Sequence, residues 1–204
     1  MYKKPVIVFE GIEGSGKSFH VTNVCNYLKK KKIPFLKLRE PGGSKNSENI
    51  RKLILHKKSN FNKNTDLLLY LASRSENISL LKKNYKKKII IIDRFIDSTL
   101  AYQHYGLGVN FSFIKNVNDY IIDGFKVDFT FLNIVNKNNM VKRLNKRKKL
   151  NRYDKFDKRF YTKVQNGFLN LSKKNKKKYF IVNSNLEIKE NKNLIIKKIN
   201  ELIK

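Results

Sequence analysis

Residues 6–18 read Val-Ile-Val-Phe-Glu-Gly-Ile-Glu-Gly-Ser-Gly-Lys-Ser: an apolar run from Val6 to Phe9, a turn holding three glycines, then helical spacing from Lys17 to Lys31. Four consecutive apolar residues before such a turn predict a strand buried on both faces, since a strand with one wet face would alternate. Gly11 to Ser18 fits Gly-x-x-x-x-Gly-Lys-Ser and lies where that pattern has meaning, between a buried strand and a helix. Average residue usage would produce the string alone in about one in a hundred chains of this length. Gly11, Ile12, Glu13, Gly14, Ser15 and Gly16 supply a backbone that curls until several N–H groups point inward, toward an anion that the following helix N-terminus also attracts. Lys17 has the reach for the β- and γ-phosphates of a nucleotide, and the Ser18 hydroxyl is a ligand type for Mg²⁺. The turn leaves one oddity: two glutamates, Glu10 and Glu13, sit where an anion is to be held.

Further apolar runs at Ile33 to Leu38, Lys88 to Ile92, Asp128 to Ile134 and Tyr179 to Val182 alternate with helical spacing at 47–55, 66–81, 112–122, 138–147, 156–172 and 189–203. This order predicts an α/β fold, a doubly wound parallel sheet covered on both faces, with ligands at the carboxyl ends of the strands. The 204 residues suit one domain, 1–204, without repeat or linker. The charged stretch Asn145 to Arg159, NKRKKLNRYDKFDKR, reads as an exposed, mobile connection, either a plain solvated loop or a lid over a phosphorylated ligand.

The chain carries 46 Lys+Arg against 16 Asp+Glu, a formal charge of +30, which attracts any polyanion. Much of the excess is lysine in runs such as 29–32 and 173–178 beside abundant Asn and Ile, all residues with AT-rich codons, and no aromatics interleave as stacking platforms. Compositional drift of solvated positions therefore outweighs a dedicated nucleic-acid surface, and no membrane partner is expected. A single cysteine, Cys25, excludes an internal disulfide framework, and no apolar run is long enough for a signal peptide or a spanning helix, so a soluble, cytoplasmic protein is expected.

A second ligand is legible after the other strands. Leu38 to Ser44 reads LREPGGS, Ile92 to Gln103 reads IDRFIDSTLAYQ, and Tyr70 and Arg74 stand four apart on one helical face. Singly, each has a bland reading: Pro41-Gly42-Gly43 as a turn, Asp93 as a helix cap, Tyr70 as core, Arg74 as a surface charge. Together, Arg39, Arg51, Arg74 and Arg94 at the strand ends suit a second phosphorylated ligand beside the turn.

With FEGIEGSGKS, REPGGS, IRKLIL, the Tyr70 and Arg74 pair, DRFIDSTLAYQ, VDFTFL, NRYDKFD and VQNGFLNL in this order, the chain resembles the thymidylate kinase family along essentially its whole length. The resemblance implies a P-loop NTPase fold with five parallel strands and a lid at about 145–159, transfer of phosphate from ATP with Mg²⁺ to dTMP, and a homodimer. It implies that Glu13 accepts from the sugar 3'-hydroxyl, that Tyr70 stacks on thymine where the family usually has Phe, and that Arg74 donates to the base O4. Arg51 and Arg94 would hold the acceptor phosphate, Thr99 and Gln103 face the base, Tyr102 pack on the sugar, and Glu40 support the pocket. Asp93 would lie near Mg²⁺ with Ser18, and Glu10 would support the turn from behind. Because Gly14 leaves the turn without an arginine, the resemblance implies a catalytic arginine from the lid, Arg152, with Arg147 and Arg159 as alternates.

Phe19, Phe95 and Val127 depart from the family pattern without removing a charge the chemistry needs. His20, His56 and His104 have no evident base role, since an acceptor phosphate oxygen is already ionised at pH 7. Two rivals stand beside this reading: a deoxynucleoside kinase, against which Arg51, Arg74 and Arg94 argue, and a nucleic-acid-stimulated P-loop ATPase, motivated by the charge.

Overall fold

The computed structural model describes residues 2–146 and 151–204. The chain runs β1 (Val6–Gly11), α1 (Lys17–Lys30), β2 (Phe35–Arg39), α2 (Lys45–Leu55), α3 (Lys63–Asn84) and β3 (Ile89–Asp93). A short α4 (Ile96–Thr99) continues into a π-helical segment (Leu100–Gly106), followed by α5 (Phe111–Ile122), β4 (Phe129–Ile134), α6 (Lys137–Asn145), α7 (Lys158–Lys174), β5 (Tyr179–Asn183) and α8 (Ile188–Ile203). The five strands form one parallel sheet in the order β2-β3-β1-β4-β5.

Both faces of the sheet are covered, which is why its central strands are continuously apolar. Ile7 and Phe9 of β1 pack with Val24 and Leu28 of α1 and Ile199 of α8 on one side. Val6 and Val8 pack with Leu81 of α3, Phe95 and Phe125 on the other. The register then sets the site: Phe9 is level with Asp93, and Asp93 with Arg39. Glu10, Arg94 and Glu40 therefore emerge together at the carboxyl edge, with Arg94 N–H donating to Phe9 O and Glu40 N–H to Asp93 O.

Two departures from the sequence reading stand out. The segment Ile96 to Gly106 is helical although no apolar period announces it; burial of Leu100, Ala101, Tyr102 and Gln103 outweighs the weak helix propensity of Ile96, Ser98 and Thr99. The stretch 145–159 is not wholly an exposed connection: Asn145 ends α6, Lys158 and Arg159 begin α7, and Arg152–Lys155 forms a 3₁₀ turn that buries Tyr153. The Tyr153 hydroxyl donates to Asp66 of α3 (2.5 Å), and its carbonyl accepts from the Tyr161 hydroxyl (2.6 Å). Arg147 lies outside the described residues.

Candidate active site

The phosphate turn takes its shape from its glycines. Gly11, at φ +138°, lies so close to the Asn133 carbonyl that no Cβ fits, and Gly16 starts α1 at φ +84°. From the α6 side, Arg143 donates to Gly14 O (2.9 Å) and Ser184 O (2.6 Å), tying the turn to the end of β5. Lys17 Nζ folds back to donate to Ile12 O (3.0 Å). Burial, with Arg94 close by, brings Lys17 down to about 7 against the pull of Asp93, Glu13 and Glu10. The Ser18 hydroxyl donates to Asp93 Oδ2 (2.7 Å) across the β1–β3 edge.

A cavity of about 290 Å³ opens beside the turn. Lys17, Ser18 and Asp93 line one end; Glu13, Glu40, Arg51, Tyr70, Arg74, Arg94, Thr99, Tyr102 and Gln103 line the rest. Every acceptor-side residue singled out in the sequence thus meets in one space, with Arg39 at its rim.

Its polar groups are tightly ordered. Arg94, at φ +68°, sends Nη1 to Gly11 O (2.9 Å) and Nη2 to Glu13 (2.8 Å), while the Tyr102 hydroxyl donates to the other Glu13 oxygen. Burial works to raise the Glu13 pKa, but Arg94, Lys17 and the Tyr102 hydroxyl hold it below the usual carboxylate value. Arg74 is 1% exposed: Nε and Nη2 engage Glu40 (both 2.8 Å), and Nη1 donates to Thr99 Oγ1 (3.0 Å) and Asn118 Oδ1 (2.5 Å). The Phe95 ring lies 5.0 Å from that guanidinium. Arg51 donates to Pro41 O (2.6 Å). Among the described residues, Gln103 Nε2 is buried without a partner, a donor left for a ligand. Burial pushes the Tyr70 hydroxyl up to about 12, so it is neutral.

Arg152 does not join this space. Its guanidinium pairs with Asp66 and lies 5.4 Å from the Phe61 ring and 4.9 Å from the Tyr153 ring, while its neighbours Asn151 and Tyr153 do line the cavity. Arg159 is exposed at the start of α7. Glu10, fully buried, braces the residues after Asp93 rather than the phosphate turn: it accepts from Phe95 N–H (2.8 Å), Ser98 N–H (3.2 Å) and the Ser98 hydroxyl (2.5 Å). Burial first, then Asp97, moves its pKa up to about 7. His20 is held neutral, brought down to about 4 by burial and by Arg143, and His104 bonds Val109 O through Nδ1 (2.8 Å), so neither is placed as a base.

Sequence reasoning missed the residues that hold the loop after β2, residues 40–44. Ser73 and Asn77 follow Tyr70 and Arg74 on the same inner stripe of α3. Gly42 N–H donates to Ser73 Oγ (3.2 Å) and Ser44 N–H to Asn77 Oδ1 (3.0 Å), while Asn77 Nδ2 donates to Gly42 O (2.8 Å). The i, i+3, i+4, i+7 spacing of polar residues in an apolar helix was the available signal. Asn118 had none, because it meets Arg74 only through the fold.

Ser18 and Asp93 offer two adjacent oxygens of the kind Mg²⁺ takes, and among the described residues no His, Cys, Asp or Glu cluster forms a complete protein cage. Mg²⁺ commonly completes its shell with water and phosphate oxygens, which fits this sparse donor set.

A phosphate turn at the end of the central strand of a parallel sheet, opening onto an arginine-lined second cavity, defines a P-loop phosphotransferase. Residues 9–195 match the family model described as Thymidylate kinase. Among proteins of that name, one from Kosmotoga olearia is 31% identical over 94% of this chain and 93% of its own length, and one from Fervidobacterium nodosum is 36% identical over 95% and 98%. The crystal structure of thymidylate kinase from Ehrlichia chaffeensis superposes with a TM-score of 0.79 at 32% identity, covering 97% of this chain and 98% of that one. The chain belongs to the thymidylate kinase family.

Proposed function

We propose that the protein transfers the γ-phosphoryl group of Mg-ATP to the 5'-phosphate of dTMP, giving dTDP. The observation that carries this reading is the single cavity running from Lys17, Ser18 and Asp93 to Tyr70, Arg74 and Gln103, with Arg94 and Glu13 between. In this reading the turn's N–H groups and Lys17 grip the triphosphate, while Arg51 and Arg94 hold the acceptor phosphate in line with it. Tyr70 covers the base, Arg74 and Gln103 donate to its carbonyls beside Thr99, and Tyr102 and Glu13 receive the sugar. Ser18 and Asp93 would hold Mg²⁺, which when bound neutralises charge on the β- and γ-oxygens.

No covalent enzyme intermediate is needed, because the acceptor oxygen is already ionised and positioning with electrostatics supplies the rate. Arg152 is the proposed lid arginine: from its pairing with Asp66, beside two cavity-lining neighbours, it would exchange that carboxylate for the migrating group. A homodimer is also proposed, supported by exposed Leu53 of α2 and Leu68 and Leu80 of α3. Cytoplasmic location is proposed as well, consistent with one buried free cysteine and, among the described residues, no helix long and apolar enough to cross a membrane.

A coupled ADP-release assay tests the proposal. Turnover with dTMP but not with thymidine is expected; turnover with thymidine alone, or hydrolysis stimulated by oligonucleotides and not by dTMP, overturns it.

A further inference from the structure

Glu10 is proposed to touch neither ligand, yet its carboxylate makes three hydrogen bonds to two residues, Phe95 and Ser98. Its carboxylate accepts from Phe95 N–H, Ser98 N–H and the Ser98 hydroxyl, the turn that immediately follows Asp93. That turn contains Arg94 in the left-handed region at φ +68°, a conformation a non-glycine residue keeps only when its surroundings enforce it. Ser98 Oγ also accepts from Arg94 Nη1 (3.3 Å), so the same hydroxyl links Glu10 to the guanidinium. The remaining anchors of Arg94 are Gly11 O and Glu13, both on the phosphate turn. Glu10 and Glu13 therefore divide the work on one arginine: Glu13 meets the guanidinium directly, and Glu10 fixes the backbone and the hydroxyl behind it.

We infer that Glu10 is a positioning residue for Arg94, setting the guanidinium where the acceptor phosphate arrives through the Phe95 and Ser98 contacts, without touching substrate itself. This rests on the proposed role of Arg94 at the dTMP phosphate. In Glu10→Gln an amide nitrogen faces the Ser98 hydroxyl as a donor, so the hydroxyl must reverse its bond and the acceptor that holds it toward Arg94 is gone.

The test is a double-mutant cycle on the full-length protein, with KM for dTMP, KM for ATP and kcat read for Glu10→Gln, Arg94→Lys and the pair. Glu10→Gln is expected to lower kcat/KM for dTMP by about tenfold or more while KM for ATP stays within about twofold, and to add less than about threefold in the Arg94→Lys background. Effects that multiply, a wild-type Glu10→Gln enzyme, or equal shifts in both KM values overturn the inference. If Arg94→Lys itself leaves dTMP kinetics unchanged, the reading of Arg94 fails and takes the inference with it, a distinguishable result. Should Glu10→Gln not fold, Ser98→Ala carries the same cycle: a loss for dTMP that vanishes in Arg94→Lys supports the relay, and a loss that persists there overturns it.

Discussion

Binding a nucleotide at alkaline pH should draw a proton out of solution and onto Lys17. In the free protein this ammonium is buried beside Arg94, and its pKa falls from 10.5 to about 7. At pH 8 only about a tenth of the molecules carry the charge, and a phosphate tail restoring the ordinary lysine value would pull in about 0.9 proton per site. Affinity should then weaken between pH 7 and pH 9 by about 50-fold, roughly 2.3 kcal/mol, because the charged fraction falls from about a half to about a hundredth. Titration calorimetry of Mg-ADP at pH 8 in Tris and in EPPS reads the uptake from the difference in buffer ionisation heat. Residual protonation of the nucleotide gives release instead, the opposite sign. Lys17→Arg is the control, since a guanidinium stays charged throughout and takes up nothing. Heat independent of buffer in the wild type, or uptake that persists in Lys17→Arg, would refute the argument.

Arg152→Ala should lower kcat by about 10³-fold with a much smaller change in dTMP affinity, whereas Asp66→Asn, which frees the arginine and leaves the Tyr153 hydroxyl an acceptor, should keep kcat. A melting-temperature loss in Arg152→Ala with kcat intact would make the pair a structural brace and nothing more. Asn118→Ala removes the closest acceptor of Arg74 Nη1 and should cost about 1–3 kcal/mol of stability in denaturant melts. The same variant should raise KM for dTMP by about tenfold and leave KM for ATP unmoved, since the lost bond orients only the base-facing fork; an unchanged KM for dTMP would remove Asn118 from recognition.

What the sequence makes legible follows the range of the interaction. β1, β3 and α1 are readable because a continuous apolar run, a glycine turn and a helical period are all local, and the short, β-branched, buried Ile89–Ile92 run favours a strand over a helix. The helix through Thr99 and Tyr102 is not, because its stability comes from packing against Phe160 and Phe168 of α7, far along the chain. The acceptor residues are legible as residue types and positions, and the parallel register turns three strand ends into one cavity. Pairings across long separations, such as Glu10 with Ser98 or Arg74 with Asn118, leave no local trace. The resemblance singled out Arg152, but not its partner Asp66, which sits in the first turn of α3, where a carboxylate reads simply as helix-dipole complement.

The scarcity of carboxylates sharpens the question raised by Glu10 and Glu13. Of 16 acidic residues in a chain of charge +30, Glu13, Glu40 and Asp93 line this cavity and Glu10 and Asp66 bond to residues that do, while the lysine runs at 29–32 and 173–178 lie exposed. Three buried or half-buried arginines each have a carboxylate of their own: Glu13 for Arg94, Glu40 for Arg74, Asp66 for Arg152. Without these partners, buried guanidinium groups, which stay charged, would repel one another and be driven out toward water. The acids thus let the protein hold several cations at fixed angles in a small space, so that anion recognition depends on where the forks point. Added salt should accordingly slow capture of the nucleotides, which the distant surface charge assists, far more than it loosens the paired forks once a ligand is seated.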